Sequence, residues 1–91
     1  MAQPTLLITG ANRGLGLEFV KQYVEDGWQV IASCRWPDDA KALNTLADTF
    51  SDQIEIYALD VADFEQIDAL ALLLQGRPID LLINNAGVYP E

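Results

Sequence analysis

An α/β fold with a doubly wound parallel sheet in strand order 3-2-1-4 is predicted by three observations. The stretch Thr5 to Gly16, TLLITGANRGLG, runs from an apolar segment through a glycine-rich turn into a helix-period pattern. The chain then alternates strand and helix as β-α-β-α-β-α-β, with strands too apolar to face water on either side. The unusual residues fall after the carboxyl end of each strand, where ligands bind at the switch point of such a sheet.

The elements follow in order. Leu6 to Thr9 read as a buried strand. Gly10 permits the sharp turn, Gly14 leaves room for a ligand against the backbone, and Gly16 lets the helix approach its strand. The free N–H groups of that helix's first turn are a natural anion site. The helix spans 16 to about 26, with Leu17, Val20 and Val24 on one stripe, and Gly27 stands where a left-handed cap is expected. Trp28 to Cys34 is a second strand. Asp38 and Asp39 mark a helix start, and that helix carries Leu43, Leu46, Ala47 and Phe50. Ile54 to Leu59 alternates as a third strand. Asp63 and Gln66 form a capping box for a third helix carrying Phe64, Ile67, Leu70 and Leu74, closed by Gly76 and Pro78. Ile79 to Ile83 is the fourth strand, followed by Asn84-Asn85-Ala86-Gly87.

Right-handed crossovers put the first two helices on one face and the third on the other. Gly10–Gly16, Arg35, Asp60-Val61 and Asn85-Ala86-Gly87 then converge on one rim. Chance is a poor explanation for four such segments.

Composition narrows the function. The 91 residues make one small domain, and a hydrophobic share of 51% marks a globular chain. A net charge of −9 leaves no basic stripe for nucleic acid. The apolar runs are too short to cross a bilayer, and the start, Met-Ala-Gln-Pro, leaves no room for a signal peptide before the first strand. The single cysteine, Cys34, forms no internal disulfide and fits a reducing cytoplasm, as a buried and inert thiol. With no histidine and no metal-site spacing of carboxylates, no metal is expected.

Thr9-Gly10-x-x-x-Gly14-x-Gly16, Asp60-Val61 and Asn84-Asn85-Ala86-Gly87 together resemble the short-chain dehydrogenase/reductase family. The wording of ITGANRGLG, IASCR and LLINNAGVY is similar to its small carbonyl-reductase-like branch, which includes C-factor-like proteins. The resemblance covers the whole chain. It implies a single Rossmann-type dinucleotide-binding domain, of which residues 1–91 are the N-terminal part. Gly10, Asn12, Arg13, Gly14, Leu15 and Gly16 would line the pyrophosphate loop. Asp60 would hydrogen-bond the adenine amino group, with Val61 beside the ring. Asn85, Ala86 and Gly87 would border the adenosine ribose. The implied activity is hydride transfer between NADP(H) and a carbonyl or alcohol, in a homo-oligomeric full-length form.

The choice of cofactor has a physical argument of its own. An NAD site usually ends strand 2 with an acid on the ribose hydroxyls, and that acid would repel a 2′-phosphate. Here Ser33-Cys34-Arg35 stands there, and no acid follows until Asp38. Arg13 and Arg35, two of only five basic residues, could close on a phosphate from two sides. The bland alternative is a pair of solvated arginines. NADP is expected over NAD.

The family's catalytic Tyr-x-x-x-Lys pair is missing. Four residues after Tyr23 comes Gly27, and after Tyr57 comes Val61. Lys21 and Lys41 are preceded four earlier by Leu17 and Pro37. No catalytic residue is therefore assigned, and the missing half would lie beyond strand 4 or in another chain. Without a fifth strand, strand 4 would show an apolar edge, and the face of the third helix an apolar patch. Trp28 reads as core. Trp36 reads either as a surface indole or as a group over the adenine, and Tyr89 as a pocket wall or a loose end. A non-enzymatic nucleotide-binding or signalling module, or a degenerate fragment held to a partner by its edge, are the alternative functions. The intact mass distinguishes them from the enzyme.

Overall fold

The computed structural model describes residues 3–86. Its elements are β1 (Thr5–Thr9), α1 (Gly14–Glu25), β2 (Gln29–Cys34), a 3-10 turn (Pro37–Asp39), α2 (Lys41–Thr49), β3 (Ile54–Ala58), α3 (Phe64–Leu73) and β4 (Leu81–Asn84). The four strands form one sheet in the order β3-β2-β1-β4, and every pairing is parallel. The expected topology is the observed one.

Alternation along the strands decides what is buried. Leu6 and Ile8 of β1, Val30, Ala32 and Cys34 of β2, and Ile54 of β3 share a core with Val20 and Val24 of α1 and Leu43 of α2. Leu6, Ile8 and Leu43 are fully buried, and each such side chain contributes about 1.5–3 kcal/mol. Ile31, of opposite parity, is fully buried outside that cluster, so both faces of the central strand are covered.

α1 ends as its sequence requires. Gly27 adopts φ 89°, the Gly27 N–H donates to the Val24 carbonyl, and the Trp28 N–H donates to the Tyr23 carbonyl. Those two bonds are a Schellman cap. Its accompanying apolar contact is an edge-to-face pair of Tyr23 and Trp28, ring centres 4.9 Å apart. Trp28 is thus half-buried against the core.

Three local readings change. Asp38 and Asp39 lie in the 3-10 turn rather than in α2, which starts at Lys41. Pro37 initiates this tighter turn, and the Asn44 side chain donates to its carbonyl at 2.8 Å. The capping box is half formed: the Asp63 carboxylate accepts from the Glu65 and Gln66 amides, but Gln66 Oε1 accepts from the Asp60 amide instead of returning to Asp63. Phe64 is 77% exposed, because it opens α3 where no described residue covers it. Leu72, Leu73 and Leu82 are exposed as well, and α3 buries none of its residues fully.

At the β3 edge, Arg77 grips Glu55 with two hydrogen bonds (2.9 and 2.6 Å), and the Tyr57 hydroxyl donates to the same carboxylate at 2.7 Å. The Arg77 hydrogen bond, aided by Tyr57, holds the Glu55 carboxyl below its ordinary value of 4.5 despite partial burial. A carboxyl whose folded pKa is depressed stabilises the fold above its unfolded pKa and loses that contribution as pH falls through the folded value. Arg77→Ala is therefore expected to flatten the stability profile below about pH 4.5. The loss at neutral pH should be at most ~1 kcal/mol, since the pair is solvent-exposed. Urea midpoints of the two proteins from pH 3 to pH 7 check both statements, and parallel profiles would contradict them.

Candidate functional site

The site is built at the carboxyl ends of the strands. β1 delivers Thr9 into the glycine turn, and the end of β4 folds over it. The Thr9 hydroxyl donates to Asn84 Oδ1 at 2.9 Å and accepts the Ala86 N–H at 3.0 Å. The Asn85 amide nitrogen donates to the Gly10 carbonyl at 3.0 Å. From β2, the Ser33 carbonyl accepts the Ala11 N–H, and the Ser33 hydroxyl reaches the Ile8 carbonyl. The Leu59 N–H donates to the Cys34 carbonyl and ties in the end of β3. The turn is thereby stitched to both neighbouring strands.

The three glycines answer to different constraints. Gly10 adopts φ 64°, and a Cβ there would stand 3.0 Å from the Ala86 backbone. A Cβ on Gly16 would stand 2.1 Å from the Gly10 carbonyl oxygen and 2.8 Å from the Asn85 amide nitrogen. Gly16 thus makes room for the turn's own carbonyl and the asparagine that holds it, a tighter demand than helix-on-strand packing. At Gly14, φ is 58° and a Cβ would meet nothing within 4 Å. That glycine borders open space.

The start of α1 faces the same space. Its N-cap, Arg13, has extended backbone, no side chain among the described residues caps the helix, and the first turn carries no acid. α3, by contrast, is capped by Asp63. Uncapped amides and the positive end of a helix dipole behind an open glycine suit an anion. Asn12 is half-buried there, while Arg13 and Leu15 are exposed.

Arg35, just past β2, places its Nε 3.8 Å from Asp60 Oδ2, just past β3. Asp60 Oδ1 accepts the Ala62 N–H at 2.9 Å, and Val61 is half-buried between them. Burial pushes the Cys34 thiol above its ordinary range, against a hydrogen bond from the Trp36 backbone, so it remains a protonated packing group. Gly87 and Tyr89 lie outside the described residues. Among the described residues no cluster of three potential metal ligands occurs, and no helix is long and apolar enough to cross a membrane.

Thr9 and Asn84 stand in the quoted motifs but were given no role there, and the register that pairs them supplies one.

A glycine turn and an uncapped helix at the switch point of a 3-2-1-4 parallel sheet define a Rossmann-like dinucleotide-binding fold. Residues 4–91 match the family model for short chain dehydrogenases, and the chain belongs to that family. Over 86 residues it is 40% identical to serine 3-dehydrogenase of Agrobacterium fabrum, covering 92% of this chain and 33% of that one. It superposes with TM-score 0.90 and 38% identity on a short-chain dehydrogenase/reductase of Burkholderia multivorans with bound NADP, covering 99% of this chain and 39% of the other. A carbonyl reductase of Pseudomonas aeruginosa in complex with NADP gives TM-score 0.90 at 31% identity, with the same coverage of 99% and 39%. The chain thus spans about a third of the length of the curated relatives it matches. Oxidoreductases that bind a nicotinamide cofactor and act on small molecules make up this family.

Proposed function

We propose that this chain is the NADP-binding part of an oxidoreductase acting on a small carbonyl or alcohol, within a single dinucleotide-binding domain. The observation that carries the reading is the open, uncapped start of α1 beside Gly14, with Arg13 and Arg35 on the same rim and no acid ending β2. The residues present fit the cofactor. Backbone amides of Gly14, Leu15 and Gly16 would hold the pyrophosphate, while Gly10 and Asn12 shape the loop behind it. Arg13 and Arg35 would take the 2′-phosphate through guanidinium forks. Asp60 would accept from the adenine amino group, with Val61 against the ring, and Asn85, Ala86 and Gly87 would border the ribose. When bound, the nicotinamide would exchange a hydride at C4 with the substrate carbon. No residue of this chain is assigned to the proton transfer, which the Tyr-x-x-x-Lys pair performs in the family resembled. The whole protein is proposed to be a cytoplasmic homo-oligomer, consistent with the buried, unpaired Cys34.

The arginines are the testable part. Each charge-assisted contact contributes ~1.5–3 kcal/mol, so Arg35→Asp should weaken NADPH binding by about one to two decades while NADH binding changes little. Calorimetric titration of the intact protein with both cofactors measures this directly. Equal losses for the two would refute the phosphate assignment.

A further inference from the structure

We infer that Gln66 on α3 is a positioning residue for cofactor binding, holding the segment that carries Asp60 and Val61 through the Asp60 amide. This rests on the NADP reading above and adds to it a residue that acts through another. Gln66 has the spacing of a capping-box partner, yet its Oε1 accepts the Asp60 N–H at 2.8 Å. The reason lies in the sheet. β3 ends at Ala58 and, among the described residues, pairs only with β2. The Leu59 N–H still finds the Cys34 carbonyl, but the next amide, that of Asp60, has no strand acceptor. Gln66 supplies one.

The other bonds of the segment are local. The Asp60 carbonyl accepts the Asp63 N–H at 2.9 Å, and Asp60 Oδ1 accepts the Ala62 N–H at 2.9 Å. Asp63 Oδ1 in turn accepts the Glu65 and Gln66 amides and fixes the start of α3. Those bonds give the turn its shape without setting where its first residue lies. The Asp60–Gln66 bond does that, because it ties the turn's first amide to the body of the helix. Gln66 is exposed, so water competes for the amide. The bond is therefore worth the low end of a neutral hydrogen bond, about threefold in an equilibrium. Without it the segment samples other placements, and the apparent affinity falls with the fraction that remains competent.

In the intact protein, Gln66→Leu keeps a good helix former and removes the acceptor. It is expected to weaken NADPH, NADH and adenosine 2′,5′-bisphosphate by about threefold each, leaving the NADPH-to-NADH ratio unchanged. Nicotinamide mononucleotide, which has no adenine, should bind as it does to the wild type. Gln66→Glu keeps an acceptor oxygen and should restore the affinity for the three adenine ligands. Calorimetry gives the affinities, and urea midpoints report any general loss of stability. Adenosine 2′,5′-bisphosphate should also slow hydrogen exchange at the Asp60 amide of the wild type, because such coupling is reciprocal. Should Gln66→Leu fail to fold, that slowing decides alone. An equal loss for nicotinamide mononucleotide, or no rescue by Gln66→Glu, shows a general structural role and overturns the inference. Wild-type protein that binds the three adenine ligands while Gln66→Leu binds them equally well overturns the positioning role only. Wild-type protein that binds none of the three overturns the NADP reading, and this inference with it.

Discussion

Gly16→Ala is expected to destabilise the fold by about 3 kcal/mol, although alanine is the better helix former. The added methyl would stand 2.1 Å from the Gly10 carbonyl oxygen, a backbone atom with no freedom to swing away. That carbonyl is also the acceptor for Asn85, so relief of the clash breaks the bond joining the glycine turn to the end of β4. A partly buried amide then loses its partner, which adds to the steric cost. In a domain of this size, such a loss is a large share of total stability. Gly14→Ala is the control. There a methyl meets open space, and only the left-handed backbone opposes it, for about 1–2 kcal/mol. The ranking reverses for ligand: Gly14→Val should abolish binding of NADPH and NADH while largely sparing circular dichroism, because the branched side chain fills the ligand's space. Urea midpoints of the three variants beside cofactor titrations test both halves. Equal stability of Gly16→Ala and wild type would mean that the turn sits farther from α1 than described.

Legibility from sequence followed the range of the interaction. The four strands and their order were readable because burial on both faces leaves an apolar signature within four to six residues, and crossover handedness supplies the rest. Gly27 was readable for the same reason, since its cap is closed by residues within one turn. What the sequence hid was the partner of each polar side chain. Gln66 had the spacing of a capping box, yet its oxygen caps the Asp60 amide, a choice set by where the end of β3 meets α3. Asp80 falls inside the stretch 79–83 read as the fourth strand. In the fold it clips the start of β4 to that of β1, its carboxylate accepting the Thr5 N–H and its own amide donating to the Thr5 carbonyl. Thr9 and Asn84 likewise meet across 75 positions of chain. At the site, the glycines were visible as a motif, but their differing roles were not. Only the fold shows that Gly16 accommodates a carbonyl while Gly14 borders open space.

Residues 1–91 expressed alone should show no NADPH-dependent reduction of aldehydes or ketones, a deficit far beyond what any single substitution above produces. General acid–base catalysis by a positioned side chain is worth about 10²–10⁴ in rate, and nothing on the described rim can supply it. The ionisable groups there are Arg13, Arg35, Asp60 and a Cys34 thiol that burial keeps protonated. Tyr57 is no substitute, since its hydroxyl is committed to Glu55 at the far sheet edge and the hydrogen bond pushes its pKa up rather than down. Positioning would be deficient too, because the chain covers only a third of a curated relative's length. Association should accompany inactivity. Among the described residues β4 pairs only with β1, and Leu82 on β4 and Phe64, Leu72 and Leu73 on α3 are exposed. An unpaired apolar edge and exposed leucines favour strand addition and self-association. Size-exclusion chromatography with light scattering, run beside an aldehyde and ketone panel at saturating NADPH, reads both properties. A monodisperse monomer that turns over any of those carbonyls would show that the proton donor lies within this chain after all.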